Sequence, residues 1–108
     1  KRWLAFFPKP KGTISIDDGA REAILNQGSS LLATGLLSIE GEFEKADVIS
    51  IIDSKKETVA RGITRFSSAE LLEIRGKSNA EILSLHPGRT RPEVVHRDHL
   101  APHFSNSR

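Results

Sequence analysis

GSSLLATGLLSIEGEFEKADVISIIDSKKETVARG, residues 28–62, is the stretch that decides the fold. Gly35 precedes Leu36-Leu37-Ser38-Ile39, which reads as a half-buried strand turning around Gly41. Val48-Ile49-Ser50-Ile51-Ile52 is a stronger strand signal, because adjacent β-branched residues are stiff at χ1 and suit a pleated backbone. Asp53-Ser54-Lys55-Lys56 is a polar turn, and Thr58 to Phe66 returns as the partner strand. Gly62 inside that run predicts a bulge or a close backbone approach.

Working outward toward the N-terminus, Asp17 and Asp18 stand where a helix N-cap belongs, with oxygens able to take unpaired backbone N–H groups. Ala20, Ala23 and Ile24 share one helical face, and Gly28 supplies a left-handed stop. Thr13-Ile14-Ser15-Ile16 alternates as a short strand, and Pro8, Pro10 and Gly12 bend the chain away from Trp3–Phe7. Toward the C-terminus, Ser67-x-x-Glu70 and Ser78-x-x-Glu81 are capping boxes, each opening a small apolar helix. Val94-Val95-His96-Arg97 reads as a closing strand, and residues 101–108 as a poorly ordered tail. Period-two alternation places Ile14, Ile16, Leu37, Ile39, Val48, Ile51, Val59 and Ile63 on the buried face. The fold expected is mainly β with small helices, of the α+β class.

One domain accounts for 108 residues, and 37% hydrophobic with 28% charged side chains is an ordinary globular balance. The absence of cysteine excludes disulfides and thiolate chemistry and suits a cytoplasmic setting. No apolar run approaches the roughly 20 residues that span a bilayer, so no membrane partner is expected. The chain has no methionine and opens on Lys1-Arg2-Trp3, so it is expected to be a piece of something longer. Net charge is only +2, but it is unevenly distributed. Residues 1–12 carry four bases and no acid, residues 75–108 six bases against three acids, and residues 13–74 six bases against eleven acids. The ends are basic and the body acidic.

Three short patterns carry a resemblance: Leu32-Ala33-Thr34-Gly35-Leu36, Lys45-Ala46-Asp47-Val48 and Ala60-Arg61-Gly62. In that order they resemble the PUA family, which implies a mixed pseudo-barrel over residues 13–100. Ala46 departs from the family pattern, which has Gly there and thereby tolerates a positive φ. The flanks narrow the resemblance. Arg2-Trp3-Leu4-Ala5, Gly12-Thr13-Ile14 with Asp17-Asp18-Gly19-Ala20, Gly28–Leu32, Ser67–Leu71 and Val95-His96-Arg97-Asp98 resemble the C-terminal domain of the glutamate 5-kinase family. The resemblance implies that residues 1–12 lead in from a kinase domain of the same chain. It further implies a parent enzyme that uses ATP and magnesium to phosphorylate the γ-carboxylate of glutamate at the start of proline synthesis. No catalytic, cofactor or metal residue carries over onto this chain, and no cofactor is expected within it. The partners implied are that kinase domain and the subunits of its oligomer.

PUA modules also bind structured RNA, and for that role the nominated residues are Lys11, Arg21, Lys45 and Arg61. The bland alternative, solvated charges on an acidic midsection, is favoured by the low net charge. His96-Arg97-Asp98 spells a protein-kinase triplet, yet His103 stands where that chemistry needs an Asn, so a strand end with a solvated ion pair is the better reading. His96, His99 and His103 lack the rigid spacing of a zinc site and read as surface histidines.

Overall fold

Five strands and three helices alternate in the computed structural model, which describes residues 9–85, 88 and 92–102. Strand β1 (Gly12–Ile16) leads into helix α1 (Asp18–Gln27), then a 3-10 turn (Ala33–Gly35) and β2 (Leu36–Glu40). Next come β3 (Val48–Ile52), β4 (Thr58–Ile63), α2 (Ser68–Ile74) and α3 (Asn79–Leu85). A second 3-10 turn (Arg97–His99) delivers the chain into β5 (Leu100–Pro102). The sheet order is β2-β1-β3-β4-β5, antiparallel throughout except for the parallel pair β1–β3. This is the mixed α+β architecture that the strand pattern predicts.

The helix starts follow local chemistry. Asp17 Oδ1 accepts the Ala20 N–H at 2.8 Å and caps α1. Ser67 and Glu70 bond reciprocally as a capping box, and Ser78 and Glu81 do the same at 3.2 and 2.8 Å. The N–H and hydroxyl of Ser78 hold the Glu81 carboxyl below its ordinary range.

Registry assigns the two faces of the sheet. Ile39–Ile14–Ile51–Ala60–Pro102 is one cross-strand row, and Gly12–Ile49–Gly62–Leu100 is its neighbour on the same side. Ile14, Ile16, Ile49, Ile51, Ala60 and Leu100 are buried there, against Ile24 of α1, Leu71 and Ile74 of α2 and Ile82 of α3. Each fully buried branched aliphatic side chain contributes about 2 kcal/mol. The other side carries the row Glu40–Thr13–Ser50–Arg61–Ala101.

Three expectations are corrected. Leu37 is exposed (45%), because a bulge opposite Ser15 and Ile16 shifts the register, so that Leu36 pairs with Ile16 and is buried instead. Val48 and Ile63 pair with each other in the row beyond Ser50 and Arg61, on the side opposite Ile49 and Ile51. Val48 is buried even so, and Ile63 is half-buried, as is Ile39. Val94–Arg97 is not a strand. Val95 makes one isolated bridge to Leu31, the Arg97 N–H goes to Ser30 Oγ at 2.8 Å, and the chain then turns. The closing strand is Leu100–Pro102, so Ala101 and Pro102 belong to the sheet, while residues 103–108 of the expected tail lie outside the described residues. Pro102 is tolerated because β5 is an edge strand.

Two glycines permit close approaches. A Cβ at Gly35 would lie 2.6 Å from the Ala20 Cβ, so only glycine lets the 3-10 turn seat on α1. A Cβ at Gly62 would meet Val95 Cγ1 at 2.7 Å and the His99 carbonyl at 3.0 Å, which explains the close approach expected there. Ala46 adopts a left-handed conformation, at φ 78°, without the freedom that glycine would have there.

Candidate functional site

Helix α1 and the segment behind it enclose a groove of about 450 Å³. Small residues form its wall: Gly19, Ala20 and Ala23 from the helix, and Gly35 from the 3-10 turn. Short side chains bring backbone within reach of anything lying in the groove. Asp17, Ser29, Ser30 and Thr34 supply polar groups at its margin. Asp17 Oδ1 already holds the Ala20 N–H, and Ser30 Oγ accepts from Arg97.

None of the four nominated cations lines this groove. Lys11 is exposed at the entry to β1, its N–H bonded to the Val48 carbonyl at 2.8 Å. Lys45 is exposed in the turn between β2 and β3. Arg61 is exposed on β4, opposite Ser50 on one side and Ala101 on the other. Arg21 projects from α1 to the far end of β3, where its Nε lies 3.2 Å from Asp53 Oδ2 and its Nη1 3.6 Å from Glu22 Oε2. Val48 and Asp53 are five residues apart, about 16 Å along an extended strand. Lys11 and Lys45 therefore gather near one end of β3, and Arg21 is anchored at the other.

Asp53 is the functional group that composition alone hides, since in the sequence it is one more polar turn residue. Its Oδ1 accepts the N–H groups of Glu57 and Lys55, both at 2.9 Å. The Glu57 N–H is the largest cause holding its carboxyl below the usual range; burial opposes, and the Lys55 N–H and the Arg21 guanidinium add to the lowering. The local signal was Asp followed by Ser-Lys-Lys, an Asx-turn pattern.

His96 has a local structural role. His96 Nδ1 accepts the Asp98 N–H at 3.1 Å and starts the 3-10 turn, so the triplet at 96–98 is a capped turn rather than the strand end expected. His96 and His99 meet edge to face at 6.2 Å. Among the described residues no group of three or more His, Asp or Glu side chains is placed to hold a metal ion, and His103 lies outside them.

Lys45 does border a second depression, of about 350 Å³, with Arg65 and His99. In the sequence Arg65 falls within the expected strand Thr58–Phe66 and His99 reads as a surface histidine, so neither is associated with Lys45.

The profile of the PUA domain matches residues 12–85. The chain belongs to the PUA domain family. This PUA domain is 46% identical over 100 residues to glutamate 5-kinase of Dictyoglomus turgidum, covering 93% of the chain and 27% of that protein. The chain thus spans about a quarter of the length of the curated relatives it matches. Among solved structures it is similar to a PUA domain from Aeropyrum pernix K1 in complex with tartrate, with TM-score 0.57 and 26% identity, covering 79% of this chain and 41% of that one. It is also similar to a chain of the archaeal box H/ACA sRNP Nop10-Cbf5 complex, with TM-score 0.55 and 31% identity, covering 62% of this chain and 21% of that one. No helix among the described residues is long and apolar enough to cross a membrane.

Proposed function

We propose that this PUA domain is the accessory module of a glutamate 5-kinase and acts through contacts with the kinase portion of that enzyme and with its other subunits. The observation that supports this is the 46% identity to the Dictyoglomus turgidum enzyme over 93% of the chain. On this reading the parent protein is cytoplasmic. It transfers the γ-phosphoryl group of ATP, with magnesium, to the side-chain carboxylate of glutamate. The chemistry belongs to the part of the relatives that this chain does not span, and residues 12–102 supply a rigid surface rather than reacting groups. The test is a chimera in which this chain replaces the matching segment of the Dictyoglomus turgidum enzyme. The chimera should phosphorylate glutamate, whereas the purified 108-residue chain should not. A soluble, folded chimera without activity, or turnover by the chain alone, would reject the reading.

A second reading, a structured-RNA-binding module, draws support from the likeness to a chain of a ribonucleoprotein complex. Its contacts would come from Lys11, Lys45 and Arg61, with Arg21 contributing only by leaving Asp53. Phosphate contacts of this kind weaken steeply with salt.

A further inference from the structure

Strand β2 stands at one end of the sheet order, so among the described residues only its β1 side is paired. An open strand side offers N–H and C=O groups to any extended chain, a second copy of the same domain included. The other end of the sheet is less inviting, because β5 has three residues and one of them, Pro102, has no N–H to offer. Strand β2 has five residues and no proline, and its Leu37 is 45% exposed. It is the end of the sheet more open to pairing with another chain.

Two features meet at Leu37. Ser38 lies opposite Ser15 and Leu36 opposite Ile16, so Leu37 is the extra residue of the bulge and has no partner on β1. Its carbonyl accepts instead from Arg75 Nη1, at 3.0 Å. The arginine arrives from a fixed position. Helix α2 packs beside β2 and ends at Ile74; Arg75 follows at φ −53° and ψ 127°, and Gly76 turns at φ 80°. The Gly76 N–H donates to the Ala33 carbonyl and the Lys77 N–H to that of Ile74, both at 2.9 Å. Ala33 opens the 3-10 turn that leads into β2, so the backbone carrying Arg75 is tied to the approach of the strand that its side chain reaches.

We propose that Arg75 guards the free edge of β2, its guanidinium filling the place where the amide of an incoming strand would bond, and so keeps two copies of this domain from pairing through their β2 strands. An incoming strand has to displace a charge-assisted hydrogen bond before it forms its own. The bulge adds to the obstacle, since it bends and twists the edge away from a flat partner. An edge meets the same edge of a second copy about a two-fold axis. That axis brings both guanidinium groups to one seam, so each copy is repelled as well as blocked.

The test is sedimentation equilibrium of the 108-residue chain and of Arg75→Ala over a concentration series, with amide hydrogen exchange on the same samples. The dimer association constant should rise about tenfold or more in Arg75→Ala, and exchange should slow in β2 as the dimer forms. Arg75→Lys, which keeps the charge but loses the planar fork, should fall between the two. Arg61→Ala, on the open side of the sheet, removes the same charge and should sediment as the parent chain does. If Arg75→Ala does not fold, Arg75→Met decides, because it keeps the stem and has no donor. Association unchanged in the folded Arg75 variants would overturn the proposal. So would association without slowed exchange in β2, or an equal rise in Arg61→Ala, which would assign the effect to net charge.

Discussion

The two turns that flank β3 are built from the same parts and fastened in different ways. Each holds a non-glycine residue at positive φ, Ala46 at 78° and Lys56 at 67°, and each is organised by an aspartate. In the first turn Asp47 Oδ2 takes one backbone N–H, from Glu44. In the second, the nearly buried Asp53 takes two, from Lys55 and Glu57, and also the guanidinium of Arg21 from α1. In one turn the aspartate carboxylate bonds only within the turn, whose backbone pairs with Thr64, and Lys45 is left exposed. The other is a tertiary joint between helix and sheet, and it pairs a cation that is still partly exposed. A basic residue on a helix is therefore no measure of available positive charge until its partner is known.

Breaking the joint should have the largest effect. Asp53→Ala strands two N–H donors and a guanidinium, so it should lower the melting temperature more than any other single change in either turn. Arg21→Ala removes only the ionic arm and should lower it by less, the pair being partly exposed to solvent. Equal losses in the two variants would mean that the ion pair, rather than the backbone bonds, closes the turn.

The pH dependence sharpens the same contrast. The Asp53 carboxyl is held below its unfolded-state range, so it binds its proton less readily folded than unfolded. Its stabilisation is fully present above about pH 4 and is lost as pH falls through the lowered folded value. Chemical denaturation across acidic pH should show that loss in the parent chain and a flatter profile in Asp53→Asn. An unchanged profile would remove Asp53 from the acid response.

The turn whose carboxylate makes a single local bond should respond weakly. Asp47→Ala should cost about 1 kcal/mol, the worth of one hydrogen bond. Ala46→Gly should gain about 1 kcal/mol, since glycine enters the left-handed region without the steric penalty of a Cβ. Thermal unfolding of the two variants checks both signs.

What the sequence disclosed followed the range of the interactions involved. The Asp17 cap and the capping boxes at Ser67 and Ser78 span three residues each, so residue type and spacing sufficed. Gly62 was readable as a close approach, though not which segment it admits; coordinates were needed to find Val95 and His99 there. Leu37 was misplaced because a bulge depends on pairing with β1, and one extra residue reverses the alternation that residues 36–39 display. Val94 and Val95 have strand-forming side chains, yet both are buried beside Leu31 while the pairing passes to Leu100–Pro102. The nominated cations were chosen by charge, and charge alone could not reveal that Asp53 holds Arg21 or that Arg65 and His99 join Lys45.

The account's central claim, an accessory kinase domain rather than a dedicated RNA binder, is tested most directly by titrating a structured RNA at low and physiological salt. The parent chain should be compared with a variant carrying Lys11→Ala and Arg61→Ala. The account predicts weak binding whose log affinity falls by roughly 0.7–0.9 per decade of salt for each phosphate neutralised, with little left at physiological salt and less still in the variant. Tight binding that survives physiological salt would contradict it.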